Sequence, residues 1–321
     1  MEKNTIDYLR LSITDWCNLN CIYCTPLEKK QFLSHADVLR YEETVRLTKL
    51  FTQAGIRKVR ITGGEPLIKK GIIQLITMLK QIPALQEISM TTNGVLLKQY
   101  ADQLKQAGLS RINISLDTLK PDRFLKITGK NCFHQVWKGI EASLKAGLNP
   151  IKLNVIPMKG VNDDEIIDFA KLSLKYPLII RFIEFFHTNQ RSEKYLNLLI
   201  PSEKVKNIIT EKCGTLHPVK KIKGYGPADY YTLDNAKGKL GFISGSTTSF
   251  CDSCNRLRVD CAGKVSPCLF SGPIFDIRPL LRSNTSDEAI VEEIKRNVTQ
   301  KSFYTKHSTN CRAIEMSSLG G

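Results

Sequence analysis

The chain predicts an α/β fold: an incomplete, six-stranded TIM-type barrel of parallel βα units in residues 1–186, followed by a C-terminal extension in residues 187–321. Three observations lead there. Short β-branched runs alternate with amphipathic stretches, as in successive βαβ units. Those runs are polar and basic on one face and apolar on the other, at a period of two. The unusual motifs follow the runs, where α/β barrels place their chemistry.

Taken in order, strands are expected at 8–13, 58–62, 87–91, 111–116, 151–156 and 178–184. Helices are expected at 41–54, 72–81, 98–107, 133–146 and 164–176. Gly55, Gly108 and Gly147 stand just past three of these, where a helix stop belongs. In the strands, Arg10 and Ser12 alternate with Leu9, Leu11 and Ile13, and Lys58, Arg60 and Thr62 with Val59 and Ile61. Asn113 and Ser115 alternate with Ile112 and Ile114, and Lys152 and Asn154 with Ile151, Leu153 and Val155. A doubly wound sheet is apolar on both faces, so a barrel with a polar lumen fits better. An ordinary eight-stranded barrel fills its interior with branched apolar side chains. This interior is reserved for a charged ligand. Past Phe185 the alternation fades into loops, short strands and a helix near 202–210.

Composition narrows the class. A hydrophobic content of 42% with 24% charged residues is ordinary for a globular chain. No stretch approaches the roughly 20 apolar residues that span a bilayer, and Met1-Glu2-Lys3-Asn4 lacks the apolar core of a secretion signal. A cytoplasmic protein with no membrane partner is expected. Lys and Arg number 47 against 31 Asp and Glu, a net +16, which attracts an anion. Nucleic acid is one such anion and a nucleoside triphosphate another. No Gly-x4-Gly-Lys phosphate loop is present, so a triphosphate would need guanidinium forks.

Six of the ten cysteines cluster by spacing: Cys17-x3-Cys21-x2-Cys24, and Cys251-x2-Cys254-x13-Cys268. Cys132, Cys213, Cys261 and Cys311 are scattered and read as buried or surface thiols. Disulfides are rare in a reducing compartment, so clustered cysteines point to metal. A structural zinc site wants four ligands in a closed tetrahedron. Three thiolates in an eight-residue loop instead leave one iron of a [4Fe–4S] cube open to an external ligand. For the second set, spacing leaves both zinc and iron–sulfur open, with Cys261 or His217 as candidate fourth ligands.

Cys17, Cys21, Tyr23 and Cys24 form a Cys-x3-Cys-x-aromatic-Cys motif that resembles the radical S-adenosylmethionine superfamily, and Gly63-Gly64-Glu65-Pro66 is similar to that superfamily's motif for the methionyl amino group. The chain also resembles the GTP 3′,8-cyclase family of molybdenum cofactor biosynthesis. That likeness rests on residues 14–18, 60–67, 91–94, 111–117 and 181–185, on Cys251-x2-Cys254 followed by Asn255-Arg256-Leu257-Arg258, on Cys268-Leu269-Phe270, and on the terminal Gly320-Gly321.

The resemblance implies two [4Fe–4S] clusters, one at each end of the barrel cavity: Cys17, Cys21 and Cys24 for the first, Cys251, Cys254 and Cys268 for the second. It implies that Tyr23, Gly64, Ser115 and Phe186 contact S-adenosylmethionine; Phe186 stands where the family often has methionine. Arg10, Arg60, Thr91, Lys152, Arg256, Leu257 and Arg258 carry over as GTP contacts, with Lys58 and Arg181 as helpers. Gly320 and Gly321 would thread into the active site. The implied reaction converts GTP into 3′,8-cyclo-7,8-dihydro-GTP, fed by an external one-electron donor and followed by a cyclic pyranopterin monophosphate synthase. A homodimer is a further expectation, and nucleic acid is not an expected partner. The competing readings are another radical enzyme with an auxiliary cluster, acting on a peptide or other small molecule, and a zinc-binding nucleic-acid module.

Overall fold

Branched apolar residues at every second position give each short strand one face that must leave water, and the helices between them supply the cover. The computed structural model describes residues 6–24, 32–186, 196–219, 226–248, 250–251, 254–299 and 301. Cys311, Gly320 and Gly321 lie outside the described residues. The expected strands form as β1 (Tyr8–Ser12), β2 (Lys58–Thr62), β3 (Glu87–Thr92), β4 (Arg111–Ser115), β5 (Ile151–Val155) and β6 (Leu178–Ile183). They pair in that order, all parallel. The helices are α1 (Tyr41–Gln53), α2 (Ile72–Lys80), α3 (Leu97–Gln106), α4 (Pro121–Thr128), α5 (Phe133–Lys145) and α6 (Ile166–Lys175). Helix α4 is an addition to the expected series. It is only eight residues long, opens on Pro121 and stops at Gly129, whose φ of 72° only glycine adopts freely.

The strands' apolar faces and the helices share one core, in which Leu9, Leu11, Ile61, Leu47, Leu50 and Phe51 are fully buried. Burial of each such side chain contributes about 1.5–3 kcal/mol. The opposite face curls on itself. Arg181 on β6 is close enough to Arg60 on β2 and Tyr8 on β1 for their charges to perturb it. Five strand spacings of about 4.8 Å would hold Arg181 and Tyr8 some 24 Å apart in a flat sheet, so the sheet is bent into a barrel wall.

The extension contains α7 (Ser202–Cys213), β7 (His217–Pro218), β8 (Asp229–Thr232), β9 (Lys239–Ile243), β10 (Arg256–Val259), β11 (Lys264–Ser266), β12 (Phe275–Asp276), α8 (Arg278–Arg282) and α9 (Asp287–Thr299). Strand β9 joins β6 and β10 joins β1, both in parallel. Six parallel strands thus become eight in succession, finished by antiparallel β11–β12 on one side and β8–β7 on the other. Three arginines fasten the end of this extension to the barrel. Arg46 of α1 holds Asp287 at 2.7 Å and the Leu281 carbonyl at 2.9 Å; Arg278 holds Asp37 and Arg282 holds Glu43. Among the described residues no helix is long and apolar enough to cross a membrane.

Candidate active site

At the C-terminal end of the barrel the chain leaves β1 and enters the loop of Cys17, Cys21 and Cys24. The turn after β2 runs against it: Gly64 N–H donates to the Thr14 carbonyl and Glu65 N–H to the Trp16 carbonyl, each at 2.7 Å. A β-carbon on Gly64 would fall 2.0 Å from the Trp16 carbonyl oxygen, so only glycine lets the two turns touch. Glu65 is buried and accepts from Leu67 N, Thr92 Oγ1 and Asn93 N. Burial pushes its carboxyl up to about 7. Asn93 in turn donates to Asn18 Oδ1 at 2.7 Å and reaches Cys17 Sγ at 3.7 Å. Tyr23 donates to Asp117 at 2.5 Å; Asp117, two residues past Ser115, also receives Ile156 N–H. Tyr23, Gly64 and Ser115 therefore share one end of the barrel. The ring of Phe186 turns elsewhere, onto Phe270 at 5.9 Å, and it is Phe185 that meets the Tyr23 ring.

The three thiols suit a cluster. Burial pushes the Cys21 thiol well up, and nearby Cys24, Asp117 and Cys17 add to the effect. Sulfurs that oppose one another's ionisation are relieved by a metal centre, which holds each as thiolate. Among the described residues no three His, Cys, Asp or Glu side chains converge to hold a single ion.

The second set lies at the other end. Cys254 precedes β10, and antiparallel β11 returns the chain to Cys268. Lys301 clasps the two segments: its ammonium donates to Cys254 Sγ at 3.5 Å, to the Pro267 carbonyl at 2.7 Å and to the Arg256 carbonyl. Burial would raise the Cys254 thiol, but Arg256 and Lys301 outweigh it and bring the thiol down to about 7. Such a thiol is readily a metal-binding thiolate. Neither candidate fourth ligand is there. Cys261 lies past the far end of β10, pushed up to about 12 by burial and by Asp15 and Asp260. His217 sits on β7, at the opposite edge of the sheet, against Asp234.

Between the two ends the lumen is arranged in tiers set by strand register. Arg258, Arg10 and Arg60 stand side by side on β10, β1 and β2. One tier towards the cysteine loop after β1 come Ser12 with Thr62, and Thr91, Asn113 and Lys152 in register. The tier above holds Ser115, Asn154 and Arg181. Of the two helper cations, Lys58 is engaged by Asp7 at 2.7 Å, whereas Arg181 leans on Asn154 and Tyr230. Tyr230, on β8, also accepts from Lys152 at 3.1 Å. It escapes sequence reading because β8 comes from the extension.

The cations crowd one another. Burial, then Arg181, Arg111 and Arg60, push the Lys152 ammonium down to about 6. Burial with Arg256 nearby lowers Arg258 to about 10, and burial with Arg258 nearby lowers Arg10 strongly. Tyr8 responds in the other sense: burial would raise its phenol, but Arg60 and Arg10 bring it down. A polyanion entering this lumen would relieve every one of these strains.

Comparison with known proteins agrees. Residues 11–173 match the radical SAM superfamily model, and residues 178–307 match the molybdenum cofactor synthesis C model. The GTP 3′,8-cyclase of Heliobacterium modesticaldum is 45% identical over 93% of this chain and 91% of its own. That of Thermodesulfovibrio yellowstonii is 47% identical over 99% and 98%. Streptococcus suis SuiB bound to S-adenosylmethionine superposes with a TM-score of 0.62 at 16% identity, over 95% of this chain and 69% of that one. At that identity the likeness speaks to fold alone. The matched lengths and identities place this chain in the radical SAM superfamily and, within it, in the GTP 3′,8-cyclase family.

Proposed function

We propose that the chain is a lyase that converts GTP into 3′,8-cyclo-7,8-dihydro-GTP for molybdenum cofactor biosynthesis, using two [4Fe–4S] clusters and S-adenosylmethionine. The observation that carries the reading is the row Arg258, Arg10, Arg60, set between two three-cysteine loops at opposite ends of one lumen. When bound, the first cluster supplies the electron that cleaves S-adenosylmethionine into methionine and a 5′-deoxyadenosyl radical. Cys17, Cys21 and Cys24 would hold that cluster, and Tyr23, Gly64 and Ser115 the cofactor, with Phe186 contributing through its backbone while its ring rests on Phe270. Arg10, Arg60, Thr91, Lys152 and the run Arg256, Leu257, Arg258 would hold GTP. The guanidiniums and Lys152 orient the triphosphate and exclude water. Cys251, Cys254 and Cys268 would hold the second cluster at the base.

Residues 1–186 would then generate the radical, and residues 187–321 would close the substrate end, with Gly320 and Gly321 reaching the reacting atoms. We also assign an external one-electron donor, a downstream enzyme that forms cyclic pyranopterin monophosphate, and a homodimeric assembly. The test is anaerobic incubation of reconstituted protein with GTP, S-adenosylmethionine and reductant, followed by mass analysis. Equal amounts of 5′-deoxyadenosine and cyclised nucleotide are expected. Protein free of iron and sulfide, or 5′-deoxyadenosine made with GTP left intact, would sink the proposal.

A further inference from the structure

The tier between Ser115 and the arginine row contains a hydrogen-bonding deficit. Asn113 is 4% exposed, and its Oδ1 meets no donor among the described residues. Thr62 Oγ1, buried on the same tier, is likewise without a partner. An enclosed amide oxygen left unpaired is destabilising, and the large majority of buried polar groups find partners. The side chain cannot be a buried core residue turned the wrong way. Its neighbours on β4, Ile112 and Ile114, face the apolar core, so Asn113 faces the lumen.

Its level says what it awaits. Thr91 and Lys152 flank it in register on β3 and β5. Two residues further along β4 stands Ser115, about 7 Å towards the first cysteine loop, and on the other side lies the arginine row that suits phosphates. A nucleotide whose phosphates reach the arginines, and whose sugar must approach the cofactor, places its ribose on the tier of Asn113. An amide oxygen there accepts from a sugar hydroxyl, and a phosphate, having no proton to give, would not satisfy it.

We infer that Asn113 binds a ribose hydroxyl of the substrate and makes the lumen selective for ribonucleotides over their deoxy analogues. This rests on the reading of the lumen as a GTP site. The test measures dissociation constants of GTP, 2′-deoxy-GTP and 3′-deoxy-GTP by equilibrium dialysis, on anaerobically reconstituted parent protein and on Asn113→Leu and Asn113→Ala. The parent should bind GTP roughly tenfold or more tightly than at least one deoxy analogue. Asn113→Leu should weaken GTP by a similar factor while leaving that analogue unchanged, so the preference vanishes. Asn113→Leu keeps the branching and heavy-atom count of the side chain and removes the unpaired oxygen, so its melting temperature should not fall; Asn113→Ala checks the result if the bulkier leucine misfits. A parent with no ribose preference, variants that keep it, or equal weakening of all three nucleotides would each overturn the inference. A parent that binds no GTP would instead overturn the site reading beneath it.

Discussion

The two ends of the lumen hold the same number of thiols in opposite electrostatic settings. Around Cys21 the neighbours are acidic or sulfur: Asp117, hydrogen-bonded to Tyr23, with Cys24 and Cys17. Around Cys254 they are cationic, Arg256 and Lys301. The difference sorts ligands by charge. S-adenosylmethionine carries a sulfonium and an ammonium, and the acidic end suits it. A triphosphate is strongly anionic, and the basic end and middle suit it. One barrel can hold both without competition because its polarity is graded along the strand direction.

The most severe way to break this contrast is Cys21→Ala. It should abolish 5′-deoxyadenosine formation while the GTP dissociation constant stays within about twofold; retained cleavage would refute the role given to the first loop. Arg258→Ala probes the other end. Losing one charge-assisted contact should weaken GTP by roughly 10–100-fold, and S-adenosylmethionine affinity should not change.

Lys152 offers a sharper reading by proton linkage. With its ammonium near 6 in the empty lumen, it is mostly neutral at pH 7, and a bound polyanion raises it. Binding should therefore take up close to one proton at pH 7, and GTP affinity should fall as pH rises above about 6. Calorimetry in buffers of different ionisation heat measures the uptake, and Lys152→Met should remove it.

The smallest effect concerns Glu65, whose carboxyl is raised from 4.5 to about 7 by burial. A raised pKa gives stability that is complete below pH 4.5 and is lost as pH rises through about 7. Melting of the cluster-free protein should decline over that window, and Glu65→Gln should flatten the decline. A parallel decline in the variant would show that other groups govern it.

How much was legible follows from distance along the chain. Cys17 to Cys24 and Gly63 to Pro66 are contiguous, so their spacing speaks directly, and the two-residue alternation exposes the lumen face of β1, β2, β4 and β5. Pairings such as Arg10 with Arg258 join residues almost a whole chain apart, and no local pattern announces them. The same holds for Tyr230 beside Lys152, Lys301 on Cys254 and the Phe185–Tyr23 contact that leaves Phe186 facing Phe270. The unmet acceptor of Asn113 is invisible in sequence, since an asparagine on a polar strand face reads as ordinary until its surroundings are known.

Parallel attachment of β10 to β1 and of β9 to β6 has a practical consequence. A fragment ended at residue 186 would leave two raw margins of backbone donors and acceptors, each an invitation to another chain. Such a piece would clump before it could be assayed for radical chemistry. The functional halves can be told apart on paper, but at the bench the protein must be made, folded and stored whole.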